Sequence, residues 1–127
     1  DLRVLLWDYS PPKADAPNLP FYTRDLPATP LPDARLKLTG MEPGTYRVAR
    51  TGIGWNRNDL YGAYLAMGKP KGTGAYLPDD VATELRAKTT PKPEPMPDLI
   101  VDERGEAEMR LPMRTNDVWL VTILLRP

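Results

Sequence analysis

Chemistry in this 127-residue chain would have to come from carboxylates, lysine or tyrosine, because the sequence holds no Cys and no His. Their absence excludes a cysteine nucleophile, an imidazole base, a thiolate zinc site and a disulfide framework. Hydrolysis by paired carboxylates needs two acids about 5 to 10 Å apart across a cleft. The acidic pairs here have plainer accounts. Asp79-Asp80 reads as charge at a helix N-terminus, Asp102-Glu103 as turn residues, and Glu106 with Glu108 as the solvated face of a strand. The oxygen ligands do not follow a calcium-loop spacing. The expectation is a chain with no catalytic residue, no metal and no cofactor of its own.

Aromatic residues offer a different chemistry, since sugar faces stack on exposed rings. Three Trp, six Tyr and one Phe are present. Phe21-Tyr22, Trp55 and Tyr76 fall in segments read as loops, where a stacking platform or a set of buried anchors would both fit. Charge narrows the partners further: Lys plus Arg and Asp plus Glu both total 17. There is no basic excess to neutralise phosphates, so neither nucleic acid nor an anionic membrane is an expected partner. The longest apolar run, Val118 to Leu125, is too short to span a bilayer and reads as a buried strand.

The elements that would position these residues are mostly strands. Leu36 and Leu38 alternate with polar neighbours, Met41-Glu42-Pro43-Gly44 has turn chemistry, and Tyr46 and Val48 resume the alternation, which predicts a β-hairpin. A second hairpin is expected from Leu99-Ile100-Val101 through the Asp102-Glu103-Arg104-Gly105 turn into Ala107, Met109 and Leu111. With the first and last segments this makes about six strands. Two short helices interrupt them. One begins at Asn58 or Asp59, carries Leu60, Tyr61, Tyr64 and Leu65 on one face, and stops at Gly68 and Pro70. The other starts at Pro78, with Asp79 and Asp80 at its positive end and Arg86 and Lys88 at its negative end. Eleven of the sixteen prolines cluster in two stretches, Pro11 to Pro32 and Pro91 to Pro97, read as long ordered loops or linkers. The fold class expected is all-β: one antiparallel β-sandwich over residues 1–127, with a long proline-rich loop and two short helices inserted in a crossover.

The terminal strands are apolar on both faces. Leu2, Val4 and Leu6 oppose Leu5 and Trp7, while Val118, Leu120 and Leu124 oppose Trp119, Val121, Ile123 and Leu125. One face of each sheet in a sandwich normally meets water, so something is expected to cover these strands: the proline-rich loop, the helices, or a partner domain. The N-terminus opens directly on Asp1-Leu2-Arg3, with neither an initiator Met nor a signal peptide, and reads as a piece cut from a longer chain.

The stretch from Gly52 to Pro70, Gly-Ile-Gly-Trp-Asn-Arg-Asn-Asp-Leu-Tyr-Gly-Ala-Tyr-Leu-Ala-Met-Gly-Lys-Pro, carries the most information. It follows the strand Tyr46-Arg47-Val48-Ala49-Arg50. Together with Val4-Leu5-Leu6-Trp7-Asp8-Tyr9, the Gly40 to Tyr46 turn and the closing Met113 to Val121 segment, it resembles the C-terminal region of glycoside hydrolase family 39, the β-xylosidase family. The resemblance runs in order along most of the chain. It departs from the commoner pattern in the Pro11 to Pro32 insertion and in Trp55-Asn56-Arg57.

The resemblance implies a retaining enzyme whose two catalytic Glu residues lie on a (β/α)₈ barrel followed by a β-sandwich. Neither Glu is implied for this chain: its Glu-Pro pairs, Glu42-Pro43 and Glu94-Pro95, follow Met41 and Pro93 rather than Asn. The implied role is a non-catalytic accessory domain that packs on the barrel and shapes its entrance or an oligomer contact. A free-standing carbohydrate-binding module and a generic interaction sandwich are the alternatives. The residues expected at the interdomain contact are Leu5, Trp7, Asn58, Asp59, Tyr61, Tyr64, Trp119 and Val121. The expected partner is the catalytic barrel of the same parent chain, with a homo-oligomer contact as a further option.

Overall fold

A computed structural model of the chain describes residues 1–10, 27–70 and 76–126. The elements run β1 (Leu2–Trp7), β2 (Pro30–Leu38), β3 (Gly44–Ile53), α1 (Leu60–Ala66), α2 (Asp79–Thr89), β4 (Glu94–Val101), β5 (Ala107–Arg114) and β6 (Val118–Leu125). All strand pairs are antiparallel and form two sheets, one in the order β1-β6-β3-β4 and the other β2-β5. The all-β sandwich and its two inserted helices stand as expected. Phe21, Tyr22 and most of the Pro11 to Pro32 stretch lie outside the described residues.

Neither expected hairpin forms. β2 pairs with β5, while β3 pairs with β4 and β6, so the turns at Gly40 and at Asp102–Gly105 are arches that carry the chain from one sheet to the other. The residues facing each other across each arch are inner-face residues of two layers rather than neighbours in one ladder. The two arches lie side by side: the Met41 amide donates to the Gly105 carbonyl at 3.1 Å. Gly105 adopts φ +75°, and a Cβ there would meet the Met41 carbonyl oxygen at 2.6 Å, so close approach and left-handed backbone both call for glycine. Asp102 builds the second arch by accepting from the amides of Arg104 and Glu106.

The prolines are not confined to connections. β2 begins at Pro30 and β4 includes Pro95 and Pro97, inside the stretches read as loops. Both are edge strands, where a missing N–H removes no ladder bond on the open side.

Between the sheets lies one apolar core, with Val48, Leu99, Val101, Leu111, Val121 and Ile123 at its centre and Leu38, Tyr46 and Ala107 around them. The Tyr46 hydroxyl donates to the Glu42 carbonyl at 2.8 Å, which satisfies a polar tip that the core could not. The helices occupy the β3–β4 connection. Asp59 caps α1 by accepting from the Gly62 amide at 2.9 Å, and α1 contains no buried residue; α2 buries Leu85.

Candidate interdomain surface and the Trp119 cluster

Register fixes which side chains share the outer face of the four-stranded sheet. Leu5 lies beside Leu120 and Thr51, and Trp7 beside Val118 and Ile53. These rows cross three strands, β1, β6 and β3, on the side away from the core. Leu5 is 55% exposed and Trp7 66%; Ile53, Leu120 and Leu124 are also exposed, as is Ile100 on β4. None of the described residues covers this face. The apolar side chains thus form a continuous strip across three strands.

Inner and outer faces alternate along β6, and that alternation corrects two expectations. Trp119 is 1% exposed and Val121 0%, so both point into the molecule and neither can touch another domain. Period two places Leu120 and Val118 outside instead. Leu5 and Trp7 remain on the outer surface.

Trp119 is the largest fully buried side chain, and the Gly52–Asp59 segment is built around it. Its register partner on β3 is Gly52, where a Cβ would overlap the indole ring. The guanidinium groups of Arg50 and Arg57 stack on the ring, 4.5 and 4.2 Å from its centroid. The indole N–H donates to the Pro112 carbonyl at 3.2 Å. Next to the ring lies Asp117, 1% exposed. It accepts from Arg114 Nε at 3.0 Å and Nη2 at 2.8 Å, a two-pronged pair, and from the Arg114 amide at 3.1 Å. Arg57 Nη1 approaches the same carboxylate at 3.6 Å.

Two arginines thus compete for one buried carboxylate. Arg114 takes the fork, and that hydrogen bond holds its pKa above the ordinary arginine value. Burial lowers the pKa of Arg57, the positive charge of Arg114 adds to the shift, and Asp117 opposes it only in part. Arg50 is paired instead with Glu94 at 3.2 Å.

The other expected contact residues sit at the same end of the sheet. Gly54 and Arg57 exchange backbone hydrogen bonds at 2.9 Å, closing a tight turn directly after Ile53. Asn58, at φ +48°, donates from Nδ2 to the Gly52 carbonyl at 2.6 Å. Its side chain therefore serves the loop, while Asp59 serves the helix. Tyr61 and Tyr64 are half-buried on α1, and Leu60 is exposed. Among the described residues, the expected set is divided between an exposed sheet face (Leu5, Trp7), a loop and helix start (Asn58, Asp59, Tyr61, Tyr64) and the interior (Trp119, Val121). Sequence reasoning missed Val118, Leu120 and Ile53 as surface residues. Alternation along β6 separated the two faces, but which face turns outward is decided by the pairing of Trp119 with Gly52, which only the sheet reveals.

Among the described residues no cluster of three or more acidic side chains could hold a metal ion, and no helix is long and apolar enough to cross a membrane.

No protein-family model and no curated protein matches the chain. Solved structures do. The GH39 enzyme from Xanthomonas axonopodis pv. citri is 35% identical with a TM-score of 0.77, and the match covers 98% of this chain and 24% of that one. A monomeric β-xylosidase from Caulobacter crescentus CB15 is 31% identical with a TM-score of 0.75, again over 98% of this chain and 24% of its own. The chain thus spans about a quarter of the length of these enzymes, and its expected likeness to the C-terminal region of the GH39 family stands.

Proposed function

We propose that this chain, the counterpart of about a quarter of a GH39 enzyme, is a non-catalytic accessory β-sandwich. Its parent would be a retaining, β-xylosidase-like glycoside hydrolase, and the sandwich packs its outer sheet face on the catalytic (β/α)₈ barrel. The observation that carries the proposal is the apolar strip through Leu5, Trp7, Ile53 and Leu120, exposed among the described residues, with the half-buried Val118 between them. Fully burying one large apolar side chain is worth about 1.5 to 3 kcal/mol, so several in one strip favour a permanent neighbour over water. The loop at Gly54–Asp59 follows Ile53 at one edge of that face, where it would border the barrel entrance.

Catalysis is assigned to the barrel. The purified chain is expected to hydrolyse no aryl β-xyloside above the buffer rate. Turnover that disappears on substitution of a carboxylate in this chain would refute the assignment.

One observation favours a second reading. Trp7, at the end of β1, and Tyr9, two residues on, are both exposed, as aromatic rings that stack on sugars must be. A carbohydrate-binding module would show saturable quenching of tryptophan fluorescence by xylo-oligosaccharides, lost in Trp7→Ala. The accessory-domain reading expects no such titration.

A further inference from the structure

The outer face of the four-stranded sheet changes character from one end of its strands to the other. The rows Trp7–Val118–Ile53 and Leu5–Leu120–Thr51 are apolar but for Thr51. The next row is Arg3–Thr122–Ala49, and the one after sets Leu124 beside Arg47. Both arginines are exposed. They share the side of Leu5 and Leu120, because their neighbours Val4, Tyr46 and Val48 belong to the core. Within the chain their charges do little. Arg3 meets Asp1 at 3.5 Å with both side chains in water, a pair of small worth. Arg47 makes no ion pair among the described residues. Arg126, at the same end of the sheet, is by contrast held by Asp98 at 2.9 Å.

We infer that this face receives one amphipathic helix lying along β6, its apolar stripe over Val118, Leu120 and Leu124, and its two flanks bearing carboxylates that reach Arg3 and Arg47. The dimensions set the occupant. Neighbouring strands stand about 4.8 Å apart, so β1 and β3 are about 10 Å from each other across β6, which is about the width of a helix with its side chains. Arg3 and Arg47 thus straddle the helix, offset by one row, or about 7 Å along the strands. Carboxylates on opposite flanks and about one turn apart, 5.4 Å of rise, meet both. The guanidinium fork suits a carboxylate, and arginine is the charged side chain that interfaces retain. An apolar face alone accepts a helix in either direction; two offset cations at one end select one direction and reject a helix with basic flanks. The inference rests on the packing proposed above and names its chemistry: a (β/α)₈ barrel presents an outer ring of helices, so a helix is the element that this sheet would meet.

The test is calorimetric titration of the 127-residue chain with two synthetic amphipathic helices that share one leucine stripe, the first flanked by Glu and the second by Lys. At low salt the Glu-flanked helix is expected to bind about tenfold more tightly, and the difference is expected to vanish near 1 M salt, where the Debye length is about 3 Å. Arg3→Glu combined with Arg47→Glu is expected to reverse the preference and to leave the urea midpoint of the chain unchanged, since both side chains are exposed. Equal binding of the two helices, or a preference that the substitutions leave untouched, would overturn the inference while the apolar face remained a docking surface. Binding of neither helix would overturn both the inference and the packing on which it rests. Self-association that shuts out both helices would assign the face to a second copy of the chain and overturn the inference as well.

Discussion

Gly52 is glycine because Trp119 lies across it. The six-atom side of the indole occupies the space a Cβ would need, and the β3–β6 ladder leaves the backbone little room to retreat. Gly52→Ala is therefore expected to cost about 1 to 3 kcal/mol, the usual scale of overpacking in a closed site, read as a lower urea midpoint with an unchanged slope. Gly54 meets a different obstacle, since a Cβ there would overlap the Asp117 carboxylate. That carboxylate is the residue on which the polar end of the sandwich turns. Asp117→Asn keeps the shape but removes the charge that answers Arg114 and Arg57, and it is expected to destabilise by about 3 kcal/mol, because one partner of a buried pair is left alone. An unchanged urea midpoint in this variant would mean that water, rather than Asp117, balances the two guanidinium groups.

Strands and helices were legible in the sequence to different depths. The existence of six strands followed from alternation in Leu36–Leu38, Tyr46–Val48 and Ala107–Leu111, and the helices followed from Asp59, Gly68 and Pro78. Pairing did not. A turn such as Met41–Gly44 has the same local chemistry whether the chain returns beside itself or crosses to a second layer, and what decides is long-range: Leu38 and Tyr46 are both needed between the sheets. Proline misled for a related reason, since Pro95 and Pro97 suit a loop and an edge strand equally, and only the strand order tells which. The second arch and the β2–β5 pair each hold a carboxyl that makes the chain sensitive to acid. Hydrogen bonding to Arg35 holds Glu108 below its ordinary value of 4.5, and the Glu106 amide, then that of Arg104, does the same for Asp102. A carboxyl whose pKa is lowered by folding contributes its stability above the unfolded value and loses it as pH falls through the folded one. Thermal stability is thus expected to be flat from pH 7 to about pH 5 and to fall below about pH 4.5. Both groups are solvent-exposed, so the loss is modest and shrinks in high salt. Glu108→Gln is expected to lessen the acid slope while leaving the neutral plateau close to that of the unsubstituted chain; an identical slope in the variant would assign the acid sensitivity elsewhere.

The two outer faces of the sandwich differ in a way no single strand explains. On the β2–β5 sheet, Arg35 pairs with Glu108 and Lys37 with Glu106, so that face is suited to water. On the four-stranded sheet, Leu5, Trp7, Ile53 and Leu120 stand exposed in adjoining rows. An apolar face of this kind, opposite a charged one, favours association over exposure to water. The expected behaviour of the chain alone is reversible self-association that deepens with concentration, measured by sedimentation. Leu5→Lys combined with Leu120→Glu tests the cause, because the two positions face each other across β1 and β6 and opposite charges there are tolerated by the ladder. Since both side chains are already exposed, the doubly substituted chain is expected to unfold within about 0.5 kcal/mol of the parent while becoming monomeric. In a longer chain where the sandwich packs on a barrel as proposed above, the same pair of substitutions is expected to loosen the assembly, seen as two thermal transitions in place of one. An unsubstituted chain that stays monomeric at millimolar concentration, with a joined variant that still melts in a single step, would leave this face as ordinary surface.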